Sequence, residues 1–558
     1  MEFGSPKAEQ LKSVSYYLLH QEQQNPERIY LKQARHGQWG YYTWAQVMRQ
    51  ARQVAAFLQH LGLPRGAHVA IFSKNCAEWV IADFGICLAG MVNVSLFPNQ
   101  HEQSIHYVLE HANVQLIFIG KLDHYQQVRK YIPTSYPTVN FDYHPDMPTD
   151  HSWAQVLAQE PLQTIVSPEP DEIYTIIYSS GTSETPKGAV FTHQTVSHYL
   201  QLFPDDISRV VQLDFFHLVS YLPLVHVYER SVTLLGSLTV PSDIAFIEEL
   251  DTFVKNLHDI QPSLFTAVPR VWDVYKHKIE SKFPIKGWHW LLNVPYLSHF
   301  IKSKIKYSLG LESSVCNISG AAHLPASTSL FFEEIGMIIQ EGYGQTENLA
   351  YCTISTLSDR KSGFVGAPRL QVEIKLGEQD ELLMKSPCLM QGYYQDEKST
   401  KAAFTEEGWL RTGDIAEIDA KQRVKIVGRL SDNFKNQKGE FIVPAPIETQ
   451  FFDKELIEHL CLVGRELVSN LMLVKLTKEA QRKPREEVTE QLQNRMHQVN
   501  RNLANYEKIS HVLVVLNAWT IDNDLLTPTL KIKRHAIEMY YRDFIQRAIL
   551  QHQIVVWE

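Results

Sequence analysis

The sequence predicts an α/β fold built as at least two domains, and three observations carry that expectation. A chain of 558 residues is longer than one hydrophobic core serves. Short β-rich runs at 68–73 (HVAIFS), 92–97 (VNVSLF) and 115–120 (LIFIGK) alternate with helix-like stretches at 77–91 and 101–112. Such alternation reads as largely parallel strands joined by helical crossovers. From about residue 363 the texture changes to short alternating strands with Gly and Asp turns.

In order along the chain, the strand texture recurs at 173–178, 217–222, 263–268 and 314–319. The runs VEIKLGEQDELLMKS and GWLRTGDIAEIDAKQRVKIVGR then read as a small β-barrel or meander. After Arg429 come a turn-rich loop, a Pro-rich entry (VPAPIE) and a mixed helix and strand tail, which places a domain boundary near 428–432.

Composition is that of a globular protein, 44% apolar and 21% charged, without repeats or low-complexity tracts. A formal charge of −9 argues against a nucleic-acid partner while leaving room for local basic patches. The six cysteines are scattered with no C-x-x-C pair, so neither zinc nor a disulfide framework is signalled, and a reducing, cytoplasmic compartment is expected. The start, MEFGSPKAEQ, lacks the basic and apolar regions of a signal peptide, and Met1 to Ser5 resemble a cloning remnant. No run approaches the ~18 apolar residues needed to span a bilayer, so the protein is expected to be soluble, or at most peripheral on the inner face of a membrane.

Chemistry concentrates in a few stretches. In YSSGTSETPKG (178–188) an apolar strand runs into small residues, hydroxyls and a lysine, a turn suited to anionic oxygens. It is not the Walker pattern, because Pro186 precedes Lys187 and no Ser or Thr follows it; taken alone, a Ser/Thr-rich surface turn reads as well. EGYGQTEN (341–348) offers a tyrosine between glycines, a hydroxyl and a hard oxygen ligand for Mg²⁺. GWLRTGD (408–414) ends in an acid able to grip two ribose hydroxyls. GRLSDNFKNQKGEFIVPAPIE (428–448) and LTPTLKIKR (526–534) complete the set.

These five stretches, in this order, resemble the acyl-adenylate-forming (AMP-binding) superfamily of acyl-CoA synthetases, luciferases and peptide-synthetase adenylation domains, over about residues 20–540. SKNCAEWVIADFGICLAGMVNVSLFP (73–98), YLPLVHVYER (221–230), PSLFTAVPRVW (262–272) and SGAAHLP (319–325) look like the long-chain fatty acyl-CoA synthetase branch. The resemblance implies a large N-terminal domain (1–427) of two helix-flanked β-sheets plus a small β-barrel, a hinge at 428–432, and a smaller mobile α+β domain at 433–558. It implies ATP, Mg²⁺ and coenzyme A as co-substrates and cofactor, a fatty acid as substrate, and an acyl-AMP intermediate passed to the thiol.

It also implies roles for individual residues. Ser179, Ser180, Gly181, Thr182, Ser183 and Lys187 would hold the β- and γ-phosphates. Gly320, Ala321 and Ala322, with Gly342, Tyr343 and Gly344, would frame the adenine and the mouth of the acyl tunnel. Thr346 would bond a phosphate and Glu347 would hold Mg²⁺. Asp414 would take the ribose hydroxyls, helped by Arg429, and Lys531 would reach in from the C-terminal domain to bridge carboxylate and α-phosphate. Lys435 and Gly439 join the nucleotide- and coenzyme-binding set, with a pantetheine channel near Gly439. His226 matches a family histidine at the acyl pocket, or is a buried histidine satisfied by backbone. A turn acid at 414 and a core aromatic at 343 are the plain alternatives to the nucleotide roles.

Two departures from the family pattern stand out. Glu184 replaces a usual glycine, and a carboxylate ~4 Å from a phosphate oxygen repels it by roughly 1 kcal/mol even through water. The expectation is that Glu184 points into solvent at the loop tip and weakens the cradle without abolishing it. Ser431 stands at the hinge where relatives carry Asp or Lys. Residues 281–311 hold five lysines, no acid and interleaved aromatics, which suits either an anionic membrane surface or a packed helix with snorkelling lysines. Two rival functions remain open: a fatty acyl-AMP ligase that loads a carrier protein, and a weakly active acyl-nucleotide-binding scaffold.

Overall fold

The computed structural model describes residues 11–179, 186–282, 297–527 and 529–558. Its strands fall where the β-rich runs predict them. His68–Phe72, Val92–Leu96 and Val114–Ile119 pair in parallel at the centre of a sheet. Among the described residues this sheet has eight strands, continuing through Thr138–Asn140 to His151–Ser152 on one side. On its other side Ile173–Tyr178, Gly188–Thr192 and Gly392–Tyr393 follow, the last two antiparallel additions. The central strands are buried along most of their length, as unbroken Val and Ile runs require of a sheet covered on both faces.

Among the described residues a second sheet of nine strands is built around Phe216–Ser220, Leu264–Ala267, Cys316–Ser319 and Ile339–Tyr343, all parallel. Helix Ala77–Leu88 is buried on every side, consistent with its nearly all-apolar sequence. It crosses helix Trp44–His60 so closely that a Cβ at Gly85 would lie 2.4 Å from Val54 Cβ. Two acids interrupt its apolar surface: Glu78 pairs with Arg35, and Asp83, 1% exposed, is 2.5 Å from Arg230 Nη2 and accepts 2.6 Å from Asn93. Asn93 belongs to the eight-stranded sheet and Arg230 follows a strand of the nine-stranded one, so this satisfied ion pair ties the two together.

Of the barrel or meander expected after residue 363, the meander forms. Glu373–Leu376, Glu381–Lys385, Leu410–Ile418 and Val424–Arg429 make an antiparallel sheet in that order. Four strands are too few to close on themselves. Beyond a 3₁₀ turn at Leu430–Asp432, a separate four-stranded sheet (Ile457–Val463, Asn470–Leu476, Ile509–Val515, Val555–Trp557) carries helices including Pro444–Phe451 and Arg485–Asn500 around cores of its own. Lys454 Nζ reaches Glu280 of the N-terminal part at 2.8 Å, and His101 Nε2 meets the Ile521 carbonyl.

No helix among the described residues is long and apolar enough to cross a membrane. Within the lysine- and aromatic-rich stretch, helix Leu297–Leu309 buries Ile305 and Leu309 in a core cluster and exposes Phe300 at 62%. Residues 283–296, with Lys286, Trp288 and Trp290, lie outside the described residues.

Candidate active site

A cleft of about 660 Å³ opens where the two large sheets, the meander and the C-terminal domain meet. Strands, their ends and connecting turns place its walls. Ile173–Tyr178 and Gly188–Thr192 form a hairpin with Tyr178 opposite Gly188, and Ser179 N–H donates to the Lys187 carbonyl at 3.0 Å. The hairpin therefore delivers Ser179 and Lys187 to the cleft. Ser180, Gly181, Thr182, Ser183 and Glu184 lie outside the described residues.

Opposite, Ile339–Tyr343 ends in a tight turn followed by the 3₁₀ segment Thr346–Asn348. Gly344 allows it, since a Cβ there would sit 2.4 Å from the Ala350 backbone. Gly342, Tyr343, Gly344, Thr346 and Glu347 all line the cleft. Glu347 Oε1 accepts 2.8 Å from the Tyr393 hydroxyl, and the Lys187 ammonium stands 5.2 Å from the Tyr393 ring centroid. Burial and the neighbouring Glu347 carboxylate push the Tyr393 phenol far up, so it remains a donor. Tyr393 arrives by pairing of Gly392–Tyr393 with Ala189 and Val190. It links the expected metal carboxylate to the expected phosphate lysine, and no pattern in the sequence flagged it.

Asp414 sits directly across from Arg429 on the adjacent meander strand, with Oδ1 3.1 Å from Arg429 Nε. Its Oδ2 accepts from Tyr343 Oη and Gln345 Nε2, both at 2.6 Å, and the residue is 3% exposed. Both oxygens are thus engaged, and a ribose would enter by exchange with these donors. Gln345 lies inside the quoted EGYGQTEN stretch, yet its tie to Asp414 needed the fold to be visible. Gly320 and Ala321 follow strand Cys316–Ser319 into the cleft, whereas Ala322 is exposed and is not part of the lining.

His226 lines the cleft and caps the short helix Val227–Glu229, its Nδ1 accepting from Tyr228 N–H at 3.3 Å. Burial, and then the Lys531 ammonium, lower its pKa to about 4. The ring is therefore neutral and, with Nδ1 accepting, its proton is assigned to Nε2. Lys531 comes from the turn Thr527–Lys531, closed by Thr527 N–H to the Lys531 carbonyl at 2.8 Å and Lys531 N–H to Thr527 Oγ1 at 3.0 Å. Desolvation and the Arg429 guanidinium lower the Lys531 pKa, with Asp414 opposing. Lys533 instead reaches Asp524 at 2.5 Å, outside the cleft. Lys435 and Gly439 are also absent from this cleft; they line a separate open concavity with Asn433, Phe441 and Arg465.

Two models of known families cover nearly the whole chain: AMP-binding enzyme over residues 18–394 and AMP-binding enzyme C-terminal domain over residues 432–552. The chain belongs to the AMP-binding enzyme family. It is 28% identical to the peroxisomal long chain acyl-CoA synthetase 6 of Arabidopsis thaliana, over 91% of this chain and 81% of that protein. It is 27% identical to the human long-chain-fatty-acid–CoA ligase 1, over 86% of this chain and 77% of that protein. Among solved structures, this AMP-binding enzyme superposes on the adenylation domain of a carboxylate reductase from Mycobacterium chelonae with a TM-score of 0.80 at 20% identity, covering 98% of this chain and 92% of that one. An anthranilate CoA ligase bound to anthranoyl-AMP gives a TM-score of 0.77 at 19% identity, covering 96% and 98%. These likenesses show the fold.

Proposed function

We propose that this AMP-binding enzyme is an ATP-dependent acid–thiol ligase that activates a fatty acid as its adenylate and passes the acyl group to coenzyme A. The observation that carries the reading is the gathering of Lys187, His226, Glu347, Arg429 and Lys531 around one cleft, with Asp414 bonded to Arg429 and Tyr343 of its wall, from six separate stretches of chain. The long-chain ligases among its relatives support the fatty acid as substrate class.

The chemistry follows from charge. A carboxylate attacking the α-phosphate of ATP approaches a polyanion, so the site must neutralise both partners and align them. Lys187 and Ser179 face the β- and γ-phosphates. Lys531, an ammonium in a poorly hydrated cleft, bridges carboxylate and α-phosphate. His226, neutral and donating through Nε2, orients the carboxylate without adding charge. Asp414, Tyr343 and Gln345 exchange their mutual hydrogen bonds for the ribose hydroxyls. Attack forms the mixed anhydride and releases pyrophosphate; the thiolate of coenzyme A then displaces AMP. The residues present fit Mg²⁺: it is held by one or two carboxylates plus substrate phosphates, and Glu347 offers one oriented carboxylate. Bound there, the ion would neutralise phosphate charge.

Residues 1–427, 428–432 and 433–558 act as body, hinge and moving domain, with Lys531 in the cleft for adenylation and withdrawn for thioester formation. Lys435 and Gly439 serve the second step from their separate concavity. ATP–pyrophosphate exchange across fatty acids of graded length, with and without coenzyme A, tests this. Exchange with long-chain acids exceeding that with acetate, and thioester appearing only with coenzyme A, is expected. Equal or better kcat/KM with acetate contradicts the fatty-acid reading, and transfer only to a carrier protein contradicts the coenzyme.

A further inference from the structure

The apolar arm of the cleft does not end on hydrocarbon alone. Phe203, Ile207 and Val232 line it, and behind them a separate void of about 10 Å³ has room for about one water-sized group. The cleft is also lined by Arg369, only 6% exposed, whose partner Asp206 directly precedes Ile207 on helix His193–Val210. Its Nε donates to Asp206 Oδ2 at 2.6 Å, and its guanidinium stacks 4.1 Å over Tyr351. The other oxygen, Asp206 Oδ1, accepts Leu370 N–H at 3.0 Å and lies 3.6 Å from the Arg209 guanidinium. Asp206 thus sits between two guanidinium groups, Arg369 on the cleft side and the partly exposed Arg209 away from it. Among the described residues neither terminal nitrogen of Arg369 has a hydrogen-bond partner.

That arrangement exceeds what holding the fold requires. The clamp between helix His193–Val210 and the 369–370 segment is complete with Arg369 Nε and Leu370 N–H on Asp206. The terminal nitrogens add nothing to it, and, not being sealed away from the cleft, they remain open to a ligand entering it. A guanidinium presents a planar fork that matches a carboxylate bidentately. We propose that Arg369 receives an anionic oxygen group, a second carboxylate, carried on the chain of the acid being activated. The inference rests on the adenylation reading above and refines which acid it concerns.

The test compares dicarboxylic with monocarboxylic acids of equal length, across a graded series, by kcat/KM for ATP-dependent pyrophosphate release. At the chain length that reaches Arg369 the diacid should exceed the monoacid by at least about tenfold in the wild type. Arg369→Met keeps the bulk without the charge and should reverse the order, whereas Arg369→Lys should retain part of the preference. Equal or better use of every monoacid by the wild type overturns the inference, as does a diacid preference that survives Arg369→Met. If Arg369→Met does not fold, the wild-type ranking decides. Activity on monoacids alone removes this inference and leaves the adenylation reading intact; silence with both acid classes removes both.

Discussion

Single residues set the electrostatics of the cleft. Tyr393 holds Glu347 through its hydroxyl and carries the Lys187 ammonium over its ring. Tyr393→Phe keeps the ring contact and removes only the donor, so Glu347 loses its orientation. Loss of one aligned donor at a reacting polyanion predicts a fall in pyrophosphate exchange of roughly tenfold, with a higher apparent KM for ATP·Mg²⁺ and an unchanged melting temperature; an unchanged KM would assign the tyrosine to packing alone. A second residue reports on stability. His193 is 4% exposed, its Nδ1 is unpartnered, and burial lowers its pKa to about 4. The unfolded chain binds a proton at this histidine near pH 6.5 that the folded one refuses until about 4. Stability is therefore whole above pH 6.5 and is lost as pH falls toward 4, by about 3 kcal/mol from this group. Urea unfolding at pH 7 and pH 4.5 should show His193→Gln losing less stability on acidification than the wild type; equal losses would contradict the assignment.

At the scale of elements, the strands read well from sequence because their apolar runs are unbroken, as in HVAIF and LIFI, and a doubly covered sheet demands that. The site read only in part. EGYGQTEN, which ends strand Ile339–Tyr343, could be placed because its small residues announce a turn. Tyr393 could not, because what makes it functional is a two-residue strand that pairs some 200 positions away in sequence. Arg369 escaped for a similar reason: its partner Asp206 lies on helix His193–Val210, and nothing local marks the pair. Ala322 lies next to two lining residues but faces outward, as a one-residue shift past a strand end allows. The same helix yields an element-scale prediction. Phe203 separates the cleft from the void behind it, where a Cβ on Gly236 would lie 2.6 Å from Phe203 Cζ. Phe203→Ala joins the two spaces and should move the preferred acyl length upward, by at least one methylene, as read from kcat/KM over a chain-length series. An unmoved optimum would place the chain elsewhere.

For the whole molecule, the two halves meet in one pose. Lys531 enters the cleft beside His226 and Arg429, while Lys454 and Ile521 of the C-terminal part contact Glu280 and His101. A change from alternating strands to a turn-rich, Pro-containing stretch near 428–432 was legible. The facing of the two domains was not, because it depends on surfaces that no local pattern encodes. The central claim is that this pose serves adenylation and not thioester formation. A charge used in only one transition state should affect only that step. Lys531→Ala should therefore reduce ATP–pyrophosphate exchange by about 10²-fold or more, on the scale of losing one electrostatic donor in a water-poor site. Supplied with synthetic acyl-AMP and coenzyme A, the same variant should release thioester at close to the wild-type rate. Arg429→Ala, which removes the ion-pair partner of Asp414, should slow both steps. Equal damage to exchange and thioester release in Lys531→Ala would contradict the account.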